Sequence, residues 1–358
     1  MERVGGLQTQ WSPSGYISLW SRLRDFDRSA LTLALERRRV VQATLVRTTI
    51  HMTSVRAFWL FSAAVGGWRR RQWLQATRSR MPGREYARAA EVLRGLLAEG
   101  PRRQRDLVAA LTAAGFARET FNGARLWLDL VRIPPSGTWD RPRADLYGLA
   151  EQWLGPGPSA SEAEALPHLV RRYLRAYGPA TLTDVASWTG VPLATLRPML
   201  EQLRLRRYRD DGGGELLDVP GAPLPHPDIP APVRFIAPWD AMLLAHARRT
   251  GVLPERHRSR VFNAQTPQSV STFLVDGMVA GAWRVDDGRV RLKPFEPLST
   301  ATRGRARRRG RPAGPAVPVV HRRGAPACLP GPVAELQQCD SRREPEYALA
   351  VAVSGTPI

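Results

Sequence analysis

The chain has 358 residues, more than one ordinary domain, and 43% of them are hydrophobic, which excludes a wholly disordered protein. Its formal net charge of +21 points to a polyanionic partner, nucleic acid before membrane. Its two cysteines, Cys328 and Cys339, have no metal-ligand spacing to a histidine pair, which argues against structural zinc and a disulfide framework.

Residues 1–80 are predicted to form a first winged-helix-like unit. Apolar residues recur at helical spacing within Tyr16–Leu23 and Leu31–Leu35. The β-branched stretch Val40–Val46 and the alternating stretch Thr48–Met52 predict short strands, and a helix should follow them. This order is compatible with a small helix-turn-helix unit that carries a β element.

Residues 81–158 are predicted to form a second winged helix. Three helices are expected at Tyr86–Leu97, Arg105–Ala114 and Arg118–Leu130, followed by a turn that feeds a strand. Three helices and a hairpin are the winged-helix plan, in which the third helix enters the major groove of DNA.

Residues 159–220 are predicted to repeat that plan as a third winged helix. Helices are expected at Leu166–Ala176, Thr183–Thr189 and Leu193–Leu203, and Arg204–Val219 supplies the wing. The two tandem units have equivalent Gly-Pro junctions, and this repetition strengthens both winged-helix predictions. Bundled helices with hairpins also occur in interaction domains, and that alternative stays open.

The remaining chain is predicted to be β-rich and then irregular. Residues 221–232 form a Pro-rich linker, and residues 233–300 form a C-terminal β-rich domain with turns at Asp276-Gly277 and Asp287-Gly288. Residues 301–358 are an Arg/Pro-rich tail that is expected to be disordered. The predicted fold class is mainly α with small β elements (α+β): tandem winged-helix units followed by a small C-terminal β-rich domain.

Near the start of the chain, Gln8 and Gln10 flank Thr9. A carboxamide is not a strong base, but it can hold a water by one donated and one accepted hydrogen bond. Such a pair suits a reaction in which the bond to be broken is already weak, such as loss of a positively charged alkylated base from its sugar. By itself, Gln-x-Gln is also typical of a polar turn or an exposed helix end.

Five segments carry a resemblance to a known bacterial family: Gly6–Gln10, Val46–Met52, Phe235–Leu244, Leu253–Arg258 and Val275–Trp283. In that order they resemble the winged-helix DNA-binding-domain proteins that include the AlkZ-type crosslink repair DNA glycosylases. The resemblance implies tandem winged helices forming a scaffold around DNA, closed by a β domain. It also implies hydrolysis of the N-glycosidic bond of N7-alkylated purines or interstrand crosslinks.

The resemblance places the family's catalytic Gln-Φ-Gln motif on Gln8, Thr9 and Gln10, which would position water. Thr9 departs from the usual aliphatic residue. The family has one or two helices before the motif, so we expect either a misassigned start codon or an incomplete first unit. Its closing helix should follow Pro297-Leu298, where the arginine-rich tail stands instead.

Further site residues follow from the same resemblance and from the predicted helices. His51 and Thr49 are second-tier catalytic candidates because the resemblance places their strand near the site, although a histidine on such a strand is more often structural. The DNA-binding candidates are four arginines: Arg47, Arg118, Arg125 and Arg197. The last three fall on predicted third helices, where a phosphate contact or a solvated face is expected before a contact with a base.

The expected partner is double-stranded DNA, alkylated or crosslinked. We expect a cytoplasmic, nucleoid-associated monomer without cofactor, metal or membrane segment, since no run approaches the length of a membrane span. Two alternatives remain open. One is a non-catalytic winged-helix regulator, which would bind DNA sequence-specifically without releasing bases. The other is a destabilised paralogue of the glycosylases.

Overall fold

The computed structural model describes residues 1–77, 81–226, 228–263, 268–286 and 289–309. The α-helices are α1 Pro13–Arg22, α2 Arg28–Glu36, α3 Val55–Thr77, α4 Gly83–Ala98, α5 Gln104–Ala113, α6 Thr120–Ala124, α7 Ala150–Leu154, α8 Glu162–Tyr177, α9 Leu182–Thr189, α10 Leu193–Glu201, α11 Arg258–Val261 and α12 Thr300–Arg309. The strands are β1 Leu7–Gln8, β2 Val40–Thr44, β3 Ile50–Ser54, β4 Arg102–Arg103, β5 Leu130–Arg132, β6 Leu146–Leu149, β7 Arg206–Arg209, β8 Glu215–Asp218, β9 Arg234–Ile236, β10 Phe262–Asn263, β11 Gln268–Ser269, β12 Thr272–Val275, β13 Met278–Asp286 and β14 Arg289–Pro294. The predicted class, mainly α with small β elements, is confirmed.

The described residues form two compact units. Unit 1 comprises Met1–Ser12 and Leu31–Ala222, and unit 2 comprises Pro13–Ala30 and the described residues from Pro223 onward. The predicted first unit is therefore divided, because α1 packs with the C-terminal strands. Trp20 of α1 stacks on Phe235 with ring centroids 5.9 Å apart. None of the described helices has the length and hydropathy that a membrane span requires.

Unit 1 is built on a six-stranded antiparallel sheet in the order β1-β3-β2-β5-β6-β4. Strands from both sides of residue 80 share this sheet, so the predicted boundary there does not separate two sheets. Helix α3 belongs to the core of this unit, where its residues Phe58 and Phe61 are buried with Val41 and Ala43 of β2. The β-branched stretch predicted as a strand thus forms the centre of the sheet.

The predicted third helix at Arg118–Leu130 is wrong. The helical part is the short α6, continued by a 3-10 turn at Arg125–Trp127, and Leu130 already begins β5. Within α6, a Cβ on Gly123 would lie 2.2 Å from the ring of Tyr86, so this close approach leaves room for glycine alone. Leu130 then pairs with Leu149 in the sheet, which outweighs helical periodicity.

Residues 162–218 follow the predicted order of three helices and a hairpin. Ser161 and Thr181 begin α8 and α9 with capping boxes, in which the side chain and backbone of the cap are satisfied together. The hairpin β7–β8 is antiparallel, from Arg206 opposite Asp218 to Arg209 opposite Glu215. The winged-helix assignment of these segments stays a prediction.

Unit 2 contains a four-stranded antiparallel sheet in the order β14-β13-β12-β9. The turn at Asp276-Gly277 has φ angles of 47° and 82°, as an Asp-Gly hairpin requires. The second predicted turn, Asp287-Gly288, lies outside the described residues. Trp283 is buried and donates from Nε1 to the Ile236 carbonyl at 3.1 Å, so it belongs to the core of this unit.

The expected disordered tail from residue 301 is wrong over its first nine residues, which belong to α12. A helix therefore does follow Pro297-Leu298. Ser299 explains where it starts, since its hydroxyl accepts from the Thr302 amide at 3.1 Å, as an N-cap does. The rest of the predicted tail lies outside the described residues.

Candidate active site

The two sequence segments singled out around Gln8 and His51 are neighbours in the sheet. Strand β1 adds to the edge of β3 with Gln8 opposite His51. Just past the strand, the Thr9 amide donates to the Ile50 carbonyl at 2.7 Å. Directly opposed residues of an antiparallel pair place their side chains on one face, with Cβ atoms about 5 Å apart. The structure therefore brings Gln8 and His51 to one place.

Both carboxamides of the motif are held by hydrogen bonds to their carbonyl oxygens. Oε1 of Gln8 accepts from Nη2 of Arg47 at 2.8 Å, and Oε1 of Gln10 accepts from the Ile50 amide at 2.6 Å. If either side-chain amide were rotated by 180°, its NH2 group would face the Arg47 or Ile50 donor. Both amide orientations are therefore fixed. Each oxygen keeps a second lone pair, and each amide can therefore still accept one hydrogen bond while its NH2 group donates others.

Arg47 reaches Gln8 from a constrained loop between β2 and β3. Arg47 and Thr48 have φ angles of 54° and 58°, the left-handed region that a β-branched residue rarely adopts. The other end of the guanidinium donates from Nη1 to the Trp188 carbonyl at 2.6 Å. Trp188 lies in the last turn of α9, where the helix dipole favours a cation. The loop thus holds the Arg47 guanidinium in contact with the Gln8 side chain.

The middle residue of the motif, Thr9, is 0% exposed and hydrogen-bonded. Its Oγ1 accepts from Nε2 of Gln42 at 3.0 Å, and the same nitrogen donates to Oγ of Ser12 at 3.2 Å. Gln42 is only 1% exposed and was missed in the sequence analysis. The signal was present, because Gln42 interrupts a β-branched apolar stretch. The hydroxyl that departs from the aliphatic pattern therefore has a buried partner.

His51 is neutral in the folded protein. It is 2% exposed, and its Nδ1 lies 3.0 Å from the Thr49 carbonyl, so Nδ1 carries the proton and donates it. Burial, together with the nearby charge of Arg47, lowers the pKa of His51 to about 3. Nε2 is therefore a hydrogen-bond acceptor at neutral pH, on the face of the sheet that Gln8 shares.

The buried neutral state of His51 predicts a loss of stability in acid. Between about pH 6.5 and pH 3 the unfolded chain binds a proton that folded His51 does not, so the free energy of unfolding falls as the pH falls. The slope from this group approaches about 1.4 kcal/mol per pH unit. Urea unfolding from pH 4.5 to pH 7 measures it: His51→Gln should flatten the slope, and His226→Gln, at a residue whose side chain is 77% exposed, should not. Equal slopes in His51→Gln and the unsubstituted protein would contradict the assignment.

The other predicted site residues lie in different environments. The Thr49 hydroxyl donates to the Val46 carbonyl at 3.1 Å. Arg118 is exposed in the turn before α6, and Arg197 is exposed on α10. Arg125 is half-buried and donates from Nε to the Asn122 carbonyl at 3.4 Å, so it lies inside unit 1 and not on an exposed helix face. Their contacts with DNA stay predictions.

The arrangement of these side chains suits the orientation of a water molecule more than strong acid or base catalysis. It combines two oriented carboxamides, a neutral imidazole and a guanidinium, and none of these is a strong base at neutral pH. In the parts of the chain that the structure describes, no group of three His, Cys, Asp or Glu side chains is placed to hold a metal ion. Such a site can orient a water toward an already activated carbon.

Comparisons with known proteins identify a family and a shared fold. A family model described as DNA glycosylase AlkZ-like matches residues 1–312. An interstrand DNA cross-link repair glycosylase from Streptomyces sahachiroi is 32% identical over 146 residues, and the matched stretch spans 37% of this chain and 37% of the relative. The solved structure of Streptomyces sahachiroi DNA glycosylase AlkZ superposes with a TM-score of 0.69 at 21% identity, over 85% of this chain and 87% of that one. The superposition shows a shared fold.

Proposed function

The chain belongs to the AlkZ-like DNA glycosylase family, and we propose that it releases N7-alkylated purines from double-stranded DNA, including purines joined in interstrand crosslinks. The resemblance stated from the sequence is confirmed at the level of the family. The name of the Streptomyces sahachiroi relative supports the crosslinked substrate, although the matched stretch spans 37% of that protein.

The proposed reaction needs little acid or base assistance. A purine alkylated at N7 is cationic, so the bond between N9 and C1′ is polarised and the base leaves neutral without being protonated. The sugar develops oxocarbenium character, a water adds its oxygen to C1′, and the proton of that water passes to solvent. The products are the free alkylated base and an abasic site. What the protein must supply is a positioned water.

The observation that carries the proposal is the fixed orientation of both motif amides. Gln10 is half-buried and can reach a bound nucleotide, whereas Gln8 is 7% exposed and lies deeper, against Arg47 and opposite His51. With its first lone pair occupied, each Oε1 can accept an O–H of the water while an amide N–H fixes a neighbouring oxygen. Neutral His51 offers a further acceptor at Nε2 on the same face.

We further propose that exposed arginines contact the phosphates. Arg118 and Arg197 are exposed, and the net charge of +21 supplies a favourable field for DNA. Such contacts hold the duplex without reading its sequence, which suits an enzyme that recognises a lesion.

Base release from defined duplexes tests the function. A duplex with one N7-methylguanine and a duplex with a purine–purine crosslink through N7 are incubated with the full chain, and the freed base is measured by mass spectrometry. Release from the alkylated duplex and none from the unmodified one is the expected result. Sequence-specific binding without release from either substrate would overturn the proposal in favour of a regulator.

Arg47→Met is expected to slow base release about tenfold, since it removes the charge-assisted hydrogen bond that orients Gln8. The loss should fall on kcat, with KM and the salt dependence of DNA binding nearly unchanged. Arg105→Met, at a side chain that is 82% exposed, is the control and should leave kcat unchanged. A rise in KM with constant kcat would instead make Arg47 a phosphate contact.

A further inference from the structure

Three arginines converge on one cleft in unit 1 that the proposed reaction does not use. Arg69 from α3, Arg125 from the turn after α6 and Arg132 from β5 line a small cleft together with Thr44 and Asp129. Arg69 is 5% exposed and Arg132 3% exposed. Arg125 is half-buried and lies nearer the solvent. Two of the three guanidinium groups are therefore removed from water almost completely.

Neutral oxygens accept the hydrogen bonds that these arginines make in the described residues. Arg69 donates to the Thr44 carbonyl and to Oγ of Ser62, Arg132 donates to the Ala144 carbonyl at 3.2 Å, and Arg125 and Arg132 share Oγ1 of Thr44 at 3.4 Å. The carboxylate in the lining, Asp129, accepts from the Ser62 hydroxyl. With three guanidinium groups and one carboxylate, the lining carries a net charge of +2.

One donor in the cleft is unsatisfied. Nε of Arg69 is buried and has no hydrogen-bond partner among the described residues. The pKa of Arg69 is lowered to about 10, mainly by burial; the nearby Asp129 opposes this change, and the charges of Arg70 and Arg125 contribute to it. Asp129 balances one of the three positive charges in the lining, so two buried or half-buried cations keep no carboxylate of their own there. A bound anion would therefore stabilise the three guanidinium groups.

From this geometry we infer that the cleft is a binding site for a small inorganic anion of about the size of chloride. The enclosed part has room for about one water-sized particle, which favours a monatomic ion over sulfate or phosphate. The anion neutralises Arg69, Arg125 and Arg132 and takes up the free N–H of Arg69. The site is also connected to the motif through the sheet. Arg69 donates to the carbonyl of Thr44, which pairs with Ile50 of β3, and the Ile50 amide donates to Gln10.

Thermal unfolding of the full chain at constant ionic strength tests the inference. Replacing sodium gluconate stepwise by sodium chloride should raise the unfolding temperature saturably by about 2–4 °C, because an anion that binds the folded state alone stabilises it. Arg125→Gln, the least buried member, should abolish the rise. Arg105→Gln removes the same charge from an exposed side chain and should keep it.

Unfolding temperatures measured with other anions test which kind of anion the site binds. A saturable rise with sulfate or with a dinucleotide phosphate, but not with chloride, would overturn the assignment to a small monatomic ion. An equal rise with chloride in Arg125→Gln, or no difference between gluconate and chloride, would overturn the site itself. A crystal of the unsubstituted protein soaked in bromide gives a readout independent of stability: an anomalous peak is expected between Arg69, Arg125 and Arg132, and its absence overturns the inference.

Discussion

Gln10→Ala is expected to lower the rate of base release from an N7-alkylated duplex by about a hundredfold. The substitution removes the more accessible of the two amides, whose Oε1 is already oriented by the Ile50 amide at 2.6 Å. It changes no charge, so the affinity for the same duplex should stay within about threefold. Single-turnover base release and equilibrium binding on one labelled duplex measure the two quantities.

Gln8→Ala should have a similar effect on the rate, and the double variant should be little slower than either single one. Residues that position one water act as a unit, so their losses do not add. Gln152→Ala, at an exposed glutamine, is the matched control and should keep full activity. Full activity in both Gln8→Ala and Gln10→Ala would contradict the catalytic role of the motif, even if the protein proved to be a glycosylase.

Asp240→Ala is expected to destabilise the protein by about 3–5 kcal/mol, the largest stability effect that we predict. The Asp240 side chain is fully buried, and its carboxylate accepts from Arg22 at 2.6 and 3.0 Å, from Ser18 at 2.8 Å and from the Met242 amide at 3.0 Å. Burial would raise the pKa of Asp240, but Arg22 and these hydrogen bonds hold it below its usual range. Removing the carboxylate takes this ion pair from Arg22 and the acceptor from Ser18 and the Met242 amide. Urea unfolding followed by tryptophan fluorescence measures the loss.

Two further variants separate the lost ion pair from a general effect of the substitution. Asp228→Ala, at a side chain that is 90% exposed, should change the free energy of unfolding by less than about 0.5 kcal/mol. The double variant Asp240→Leu with Arg22→Met should recover part of the loss, because neither charge then stays buried. A cost below about 1 kcal/mol for Asp240→Ala would show that water replaces the carboxylate.

Residue spacing in the sequence predicted those helices that have a continuous apolar stripe and clear end signals. The helices at Gly83–Ala98 and Gln104–Ala113 lie within a residue or a few of the predicted ranges, since a continuous apolar stripe and a breaker define both ends. The helix predicted at Arg118–Leu130 is wrong because the pairing of Leu130 in the sheet outweighs its periodicity. The helix after Ser299 was missed because its arginine-rich sequence has no apolar stripe.

The glutamine motif, the basic charge and the order of most helices and strands were predictable from the amino-acid sequence, because residue spacing and turn chemistry are local properties. The hydrogen-bond partners of the motif, in contrast, depend on the tertiary structure. The amide of Gln8 is oriented by Arg47, 39 residues later, and Thr9 is held by Gln42, 33 residues later. Hydrogen-bond partners at such separations depend on which strands pair and in which register. For the same reason, no sequence pattern indicated that Arg69, Arg125 and Arg132 meet in one cleft.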